Sequence, residues 1–178
     1  MKVIIDSLME VIKDLDYIKN HDMNLISIRD YDHSPFYDVI DNAGIKNLLA
    51  VQFDDLVEEL PIEYRERYKE RPPSESDIKT ILEWSKQKMT ENGNDFVVHC
   101  SAGVSRSAAV AILVQYLQDP SKALKVINPM LHSPNKKVLE LGEKLLNTKD
   151  IKEPTEKIMK EYDAQWVENL GNRQKNVF

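Results

Sequence analysis

"FVVHCSAGVSRSAAV", residues 96–110, changes character twice within fifteen positions. Its first part is continuously apolar up to His99 and Cys100, the pattern of a strand buried on both faces of a sheet. "SAGVS" (101–105) is small and turn-prone, and an alanine-rich helical pattern runs from about Ser105 to Leu117. The stretch therefore reads as strand, tight loop and helix. In open α/β sheets binding crevices form outside the carboxyl ends of strands, and the single cysteine of the chain stands at such an end. One cysteine cannot make an internal disulfide, so it is either inert core filler or a reactive thiol.

The position favours reactivity. Unpaired N–H groups and the macrodipole at a helix N-terminus stabilise thiolate over thiol, and can draw a cysteine pKa from about 8.5 into the range of roughly 3.5 to 7.5. Ser101, Ala102, Gly103, Val104 and Ser105 are small enough to curl their N–H groups inward as an anion nest, with Gly103 free to take positive φ. Such a nest fits phosphate. Arg106 on the first helical turn offers a two-pronged fork to phosphate oxygens, whose charge it would stabilise further as the transition state forms. An arginine beside a buried strand end also needs an anionic partner. For His99 a satisfied core histidine, and for Ser107 an ordinary first-turn residue, are the competing structural readings.

Outward from this stretch, strands are expected at residues 2–5, at "NLISI" (24–28) and at "NLLAVQF" (47–53). Helical spacing runs through Leu8, Val11, Ile12, Leu15 and Ile18 to about residue 19. Residues 29–46, interrupted by Pro35 and Gly44, read as loop. Ser74, three before Asp77, opens a helix with an acidic capping box, and Gly93 closes it. A further helix is expected over Lys136–Asn147, then a polar helix from Asp150 that frays toward Phe178. Strands alternating with helices predict an α/β fold, a central mostly parallel sheet of about four or five strands flanked by helices. Residues 1–150 are expected to form one catalytic domain and 151–178 a C-terminal helical extension or tail.

With 30 acidic and 24 basic residues the 178-residue chain carries a formal charge of −6, which gives no general pull toward nucleic acid or anionic membrane. Any anionic substrate must be held locally. The opening "MKVIID" is too short and too soon charged for a signal peptide, and no run approaches the roughly 20 apolar residues of a membrane span. A soluble, cytoplasmic protein is expected, its oligomeric state left open.

"HCSAGVSRS" resembles the His-Cys, five residues, Arg-Ser/Thr motif of the cysteine-dependent protein tyrosine phosphatases, including the dual-specificity group. Together with "SPN" (133–135) before a helix, it is most similar to small bacterial and phage proteins described as tyrosine phosphatases. The resemblance spans about residues 1–148 and implies that fold. It further implies that Cys100 attacks phosphorus to form a phosphocysteine, Arg106 and the 101–105 loop hold the phosphate, His99 tunes the thiolate, and Ser107 helps it leave. Neither metal nor other cofactor is implied. Leaving-group expulsion needs a proton donor, and family members carry an aspartate after an upstream strand. "VQFDDL" supplies Asp54 and Asp55, and the alignment puts the acid on Asp55, 45 residues before Cys100, with Asp54 a neighbour able to bond loop backbone. Both could instead be turn residues. The expected substrate is a phosphorylated protein or small phosphomonoester, because the loop has no cation beyond Arg106 to suit a polyphosphorylated head group.

Other classes fit less of the sequence. Asp30 and Asp32 after an apolar strand resemble the paired aspartates of metal-dependent haloacid-dehalogenase-type phosphatases, although Arg29 and His33 depart from that pattern. A non-catalytic phosphate-binding module would need the nest and arginine but not the thiol, and a rhodanese-like sulfur carrier would not need Arg106 followed by Ser107. Asp54 and Asp55 as metal ligands lack a histidine or further carboxylate at a matching spacing.

Overall fold

The apolar runs assemble into a four-stranded, wholly parallel sheet in the computed structural model, which describes residues 1–31, 34–58, 61, 63 and 70–175, with side chains through Trp166 in the last helix. Asp32, His33 and Phe178 lie outside the described residues. The strands are β1 (Val3–Ser7), β2 (Asn24–Arg29), β3 (Leu48–Gln52) and β4 (Phe96–Cys100), in the order β1-β4-β2-β3. β4 is thus an inner strand, with Ser7 paired to Cys100 and Ser27 to His99.

Side-chain alternation divides the core into two layers. Leu25 and Val97 face α1 (Leu8–Lys13), α2 (Leu15–Asn20) and α3 (Pro35–Asn42), packing with Val11, Ile18, Tyr37 and Ile40. Ile26, Ile28, Phe96 and Val98 face α4 (Glu75–Glu91), α5 (Arg106–Gln118) and α6 (Lys136–Leu146). Burial on both faces explains why these strands read as unbroken apolar runs. α5 is buried at every position from Arg106 to Gln115, which is why its sequence shows no polar stripe. A 3-10 stretch (Pro120–Val126) follows it. The last helix, α7 (Lys152–Lys175), seats Thr155 and part of Met159 on the same layer.

Two expectations are corrected by the structure. Residues 29–46 are not all loop, because Pro35 occupies the first position of α3, where its missing N–H costs nothing, and Ser34 caps that helix by accepting from the Phe36 N–H. Gly44, at φ +72, lies just past the helix end, so the two residues taken as breakers are its start and stop. The helix expected from Leu8 to about residue 19 is two helices, since Asp14 leaves helical geometry (φ −101, ψ 11) between them. The apolar spacing continues across this single-residue break and so could not reveal it. The Ser74–Asp77 capping box forms as the sequence predicts.

Candidate active site

The residues singled out at the end of β4 converge. Cys100 is 2% exposed, and its Sγ lies 3.3 Å from the Ser107 Oγ. Burial works against ionisation of the thiol, but the Ser107 hydroxyl and amide, the Arg106 charge and the Gly103 amide together outweigh it and leave the pKa below the ordinary cysteine value. The pocket therefore makes the thiolate more accessible than it is for an ordinary cysteine. Ser105 precedes α5 without capping it by a side-chain bond, leaving the first-turn N–H groups open to an anion.

The loop's shape depends on Gly103. At φ +74 it occupies the left-handed region, and a Cβ there would come within 2.8 Å of the Asp6 carbonyl carbon and the Ser7 nitrogen. Glycine thus lets the loop lie directly on the end of β1, where the Leu8 N–H also donates to the Ser101 carbonyl at 3.3 Å. Ala102 is exposed, and Val104 is 38% exposed at the loop's tip. Ser105 donates its hydroxyl to Asp55 Oδ1 at 2.7 Å.

Arg106 is 4% exposed, and its anionic partner is one the sequence did not single out for this role. Nη2 pairs with Asp30 Oδ1 at 2.6 Å, Nη1 donates to the Phe53 carbonyl at 2.8 Å, and Nε is buried without a partner among the described residues. Asp30 Oδ2 in turn accepts from the Ser101 hydroxyl and, at 3.3 Å, from Tyr37. Asp30 stands just beyond β2, next to β4 in the sheet, so strand order brings its carboxylate to the loop. The guanidinium is thereby fixed from the sides of β2 and β3 while Nε keeps an unused donor.

His99 is fully buried, and neither ring nitrogen meets a hydrogen-bond partner among the described residues. Burial, then the charges of Arg29 and Arg106, push its pKa down to about 4, while the nearby Cys100 backbone pulls the other way without reversing the shift. The imidazole is neutral at pH 7 and lends the thiolate no positive charge.

The two aspartates after β3 are differently engaged. Asp54 accepts the Tyr31 N–H on Oδ1 at 3.0 Å and the Arg71 N–H on Oδ2 at 2.7 Å, so both oxygens tie loops together. Asp55 is exposed and takes both its donors on Oδ1, from Ser105 and, at 2.7 Å, from the Asn135 amide. Oδ2 has no partner among the described residues. Asn135, buried and belonging to "SPN", caps α6 by accepting the Val138 N–H at 3.0 Å and donates its own N–H to the Ser105 carbonyl at 3.2 Å. It connects Asp55, the loop and a helix. An asparagine behind a proline at a helix start is the one sequence cue to it. Among the described residues no group of three or more His, Cys, Asp or Glu side chains is placed to hold a metal ion.

No family model matches the chain, and no curated protein does. Solved structures do match. The PTP-2 phosphatase of Cydia pomonella superposes with a TM-score of 0.55 at 17% identity, covering 81% of this chain and 85% of that one. Human DUSP28 gives a TM-score of 0.54 at 14% identity over 80% of this chain and 89% of that one. The chain has the protein tyrosine phosphatase fold. PTPMT1, crystallised with PI(5)P, shares this phosphatase fold with a TM-score of 0.53 at 15% identity, over 80% of this chain and 88% of that one. Among the described residues no helix of this phosphatase fold is long and apolar enough to cross a membrane.

Proposed function

We propose that this chain hydrolyses phosphomonoesters on proteins, phosphotyrosine among them, through a phosphocysteine at Cys100. The observation that carries the reading is the assembled cradle: a buried sulfur with a lowered pKa, within reach of Ser107, under a loop closed by a fixed Arg106. In the first step Sγ attacks phosphorus, the P–S bond forms as the ester P–O bond breaks, and the leaving oxygen takes the proton from Asp55 Oδ2. In the second, Asp55 accepts a proton from water as that water attacks phosphorus, the P–S bond breaks, and Ser107 donates to the departing thiolate. Arg106 and the inward amides of residues 101–105 stabilise the equatorial oxygens in both steps. Occupation of both Asp54 oxygens by backbone N–H groups supports Asp55 as the acid. A lone thiol without a resolving cysteine suits a reducing compartment such as the cytoplasm.

The test is metal-free turnover of aryl phosphates and phosphopeptides. Cys100→Ser should abolish hydrolysis while the protein still binds vanadate, and appreciable residual turnover refutes the nucleophile. Asp55→Asn should slow substrates with poor leaving groups by about 10²-fold or more and those with good ones far less. Asp54→Asn should instead loosen the fold with no leaving-group dependence, and the reverse pattern reassigns the acid.

A further inference from the structure

A groove of about 620 Å³ opens beside the cradle, between α7 and the turn that precedes α6. Val104, the tip of the phosphate loop, forms part of its wall, and Leu139 and Met159 lie among its apolar lining. The turn is held by its own bonds: the Leu131 and His132 N–H groups both donate to the Asn128 carbonyl at 2.9 Å, and the Asn128 N–H donates to His132 Nδ1 at 2.9 Å. This ordered turn leaves Met130 66% and Leu131 62% exposed. Across from it, Thr155, Met159, Tyr162 and Trp166 fall on one face of α7, and exposure rises from 2% at Thr155 to 52% at Trp166. Large apolar side chains collected around one groove mark an interaction surface.

We infer that this groove seats an apolar segment adjoining the phosphorylated residue of a protein substrate. The inference rests on the phosphatase reading and specifies which phosphoproteins the site takes. Two observations choose this occupant. The groove adjoins the cradle, since Val104 belongs to both and the turn is bonded to the loop, the Ser133 N–H donating to the Val104 carbonyl at 3.0 Å and the Asn135 N–H to the Ser105 carbonyl at 3.2 Å, so a phosphorylated residue held at Cys100 has its chain neighbours beside the groove. Its charges also balance. Its lining holds two lysines, Lys136 and Lys160, and two carboxylates, Glu156 and Asp163, with Lys136 3.8 Å from Glu156. An uncharged apolar segment meets no net charge there.

The experiment compares the full chain acting on p-nitrophenyl phosphate, which is too small to reach the groove, and on two phosphotyrosine peptides. One peptide carries leucines on both sides of the phosphotyrosine, the other serines. The leucine peptide should show kcat/KM higher by at least about tenfold, the scale of one well-buried aliphatic side chain. Trp166→Ala and Leu131→Ser, both at exposed positions, should bring that ratio close to one and leave p-nitrophenyl phosphate turnover unchanged. Equal wild-type rates on the two peptides overturn the inference, as do variants that slow the small substrate as much as the peptide. Sedimentation showing a dimer that Trp166→Ala dissolves would give the groove to a second copy instead. If wild-type protein does not hydrolyse p-nitrophenyl phosphate, the phosphatase reading itself falls and the inference falls with it.

Discussion

Acidification should destabilise this protein through His99. The imidazole is fully buried, and its pKa drops from 6.5 to about 4 on folding. Between those values the unfolded chain binds a proton that the native chain refuses, so stability is intact above pH 6.5 and is lost as pH falls toward 4. From pH 7 to 4.5 the linkage removes about 2 to 2.5 kcal/mol, or roughly 5–10 °C in Tm for a domain of this size. Asp6 acts oppositely. Burial, with the charges of Glu10 and Asp14, raises its pKa to about 6, so protonation between pH 6 and 3.8 favours the native state, an effect muted because the residue is partly exposed. Other carboxylates contribute as well, so the measurement is a difference: urea unfolding of wild type and His99→Asn at pH 7 and 4.5. Wild type should lose about 2 kcal/mol more than the variant over that interval. Parallel pH profiles would mean that His99 takes up its proton in the folded state, and would refute the assignment of a neutral, unpartnered imidazole behind the thiolate.

Two further substitutions probe the cradle. Asp30→Ala strands the guanidinium of Arg106, which should cost about 2 kcal/mol, below the 3–5 of a fully buried pair because the Asp30 side chain is 36% exposed. Vanadate affinity should fall with it, and tighter binding would instead show Asp30 competing with the substrate for the arginine. Gly103→Ala combines a left-handed φ with a Cβ pressed on the β1 backbone, for a loss of about 2–4 kcal/mol and of turnover. A variant with unchanged melting and rate would refute the close approach of loop and strand.

The arrangement of residues 99–107 was legible in the sequence because it is local. A strand end, a small-residue loop and a helix start occupy nine consecutive positions, and the five-residue spacing places Cys100 and Arg106 on one cradle whatever the rest of the chain does. The parallel α/β architecture was legible for a similar reason, since burial on both faces leaves unbroken apolar runs in the strands. Pro35 misled because the same residue stops a helix from inside and starts one from its first position, and only the cap at Ser34 distinguishes the two. What the tertiary structure alone decided are the partners brought in from afar. Ser101 and Asp30 are 71 residues apart and meet because the sheet sets β4 beside β2; Asn135 and Asp55 are 80 apart and meet because the start of α6 packs on the loop after β4. "DD" at 54 and 55 looks symmetric in sequence. The fold spends one carboxylate on backbone N–H groups and leaves the other an open oxygen at the cradle, a distinction set by long-range contacts rather than residue type.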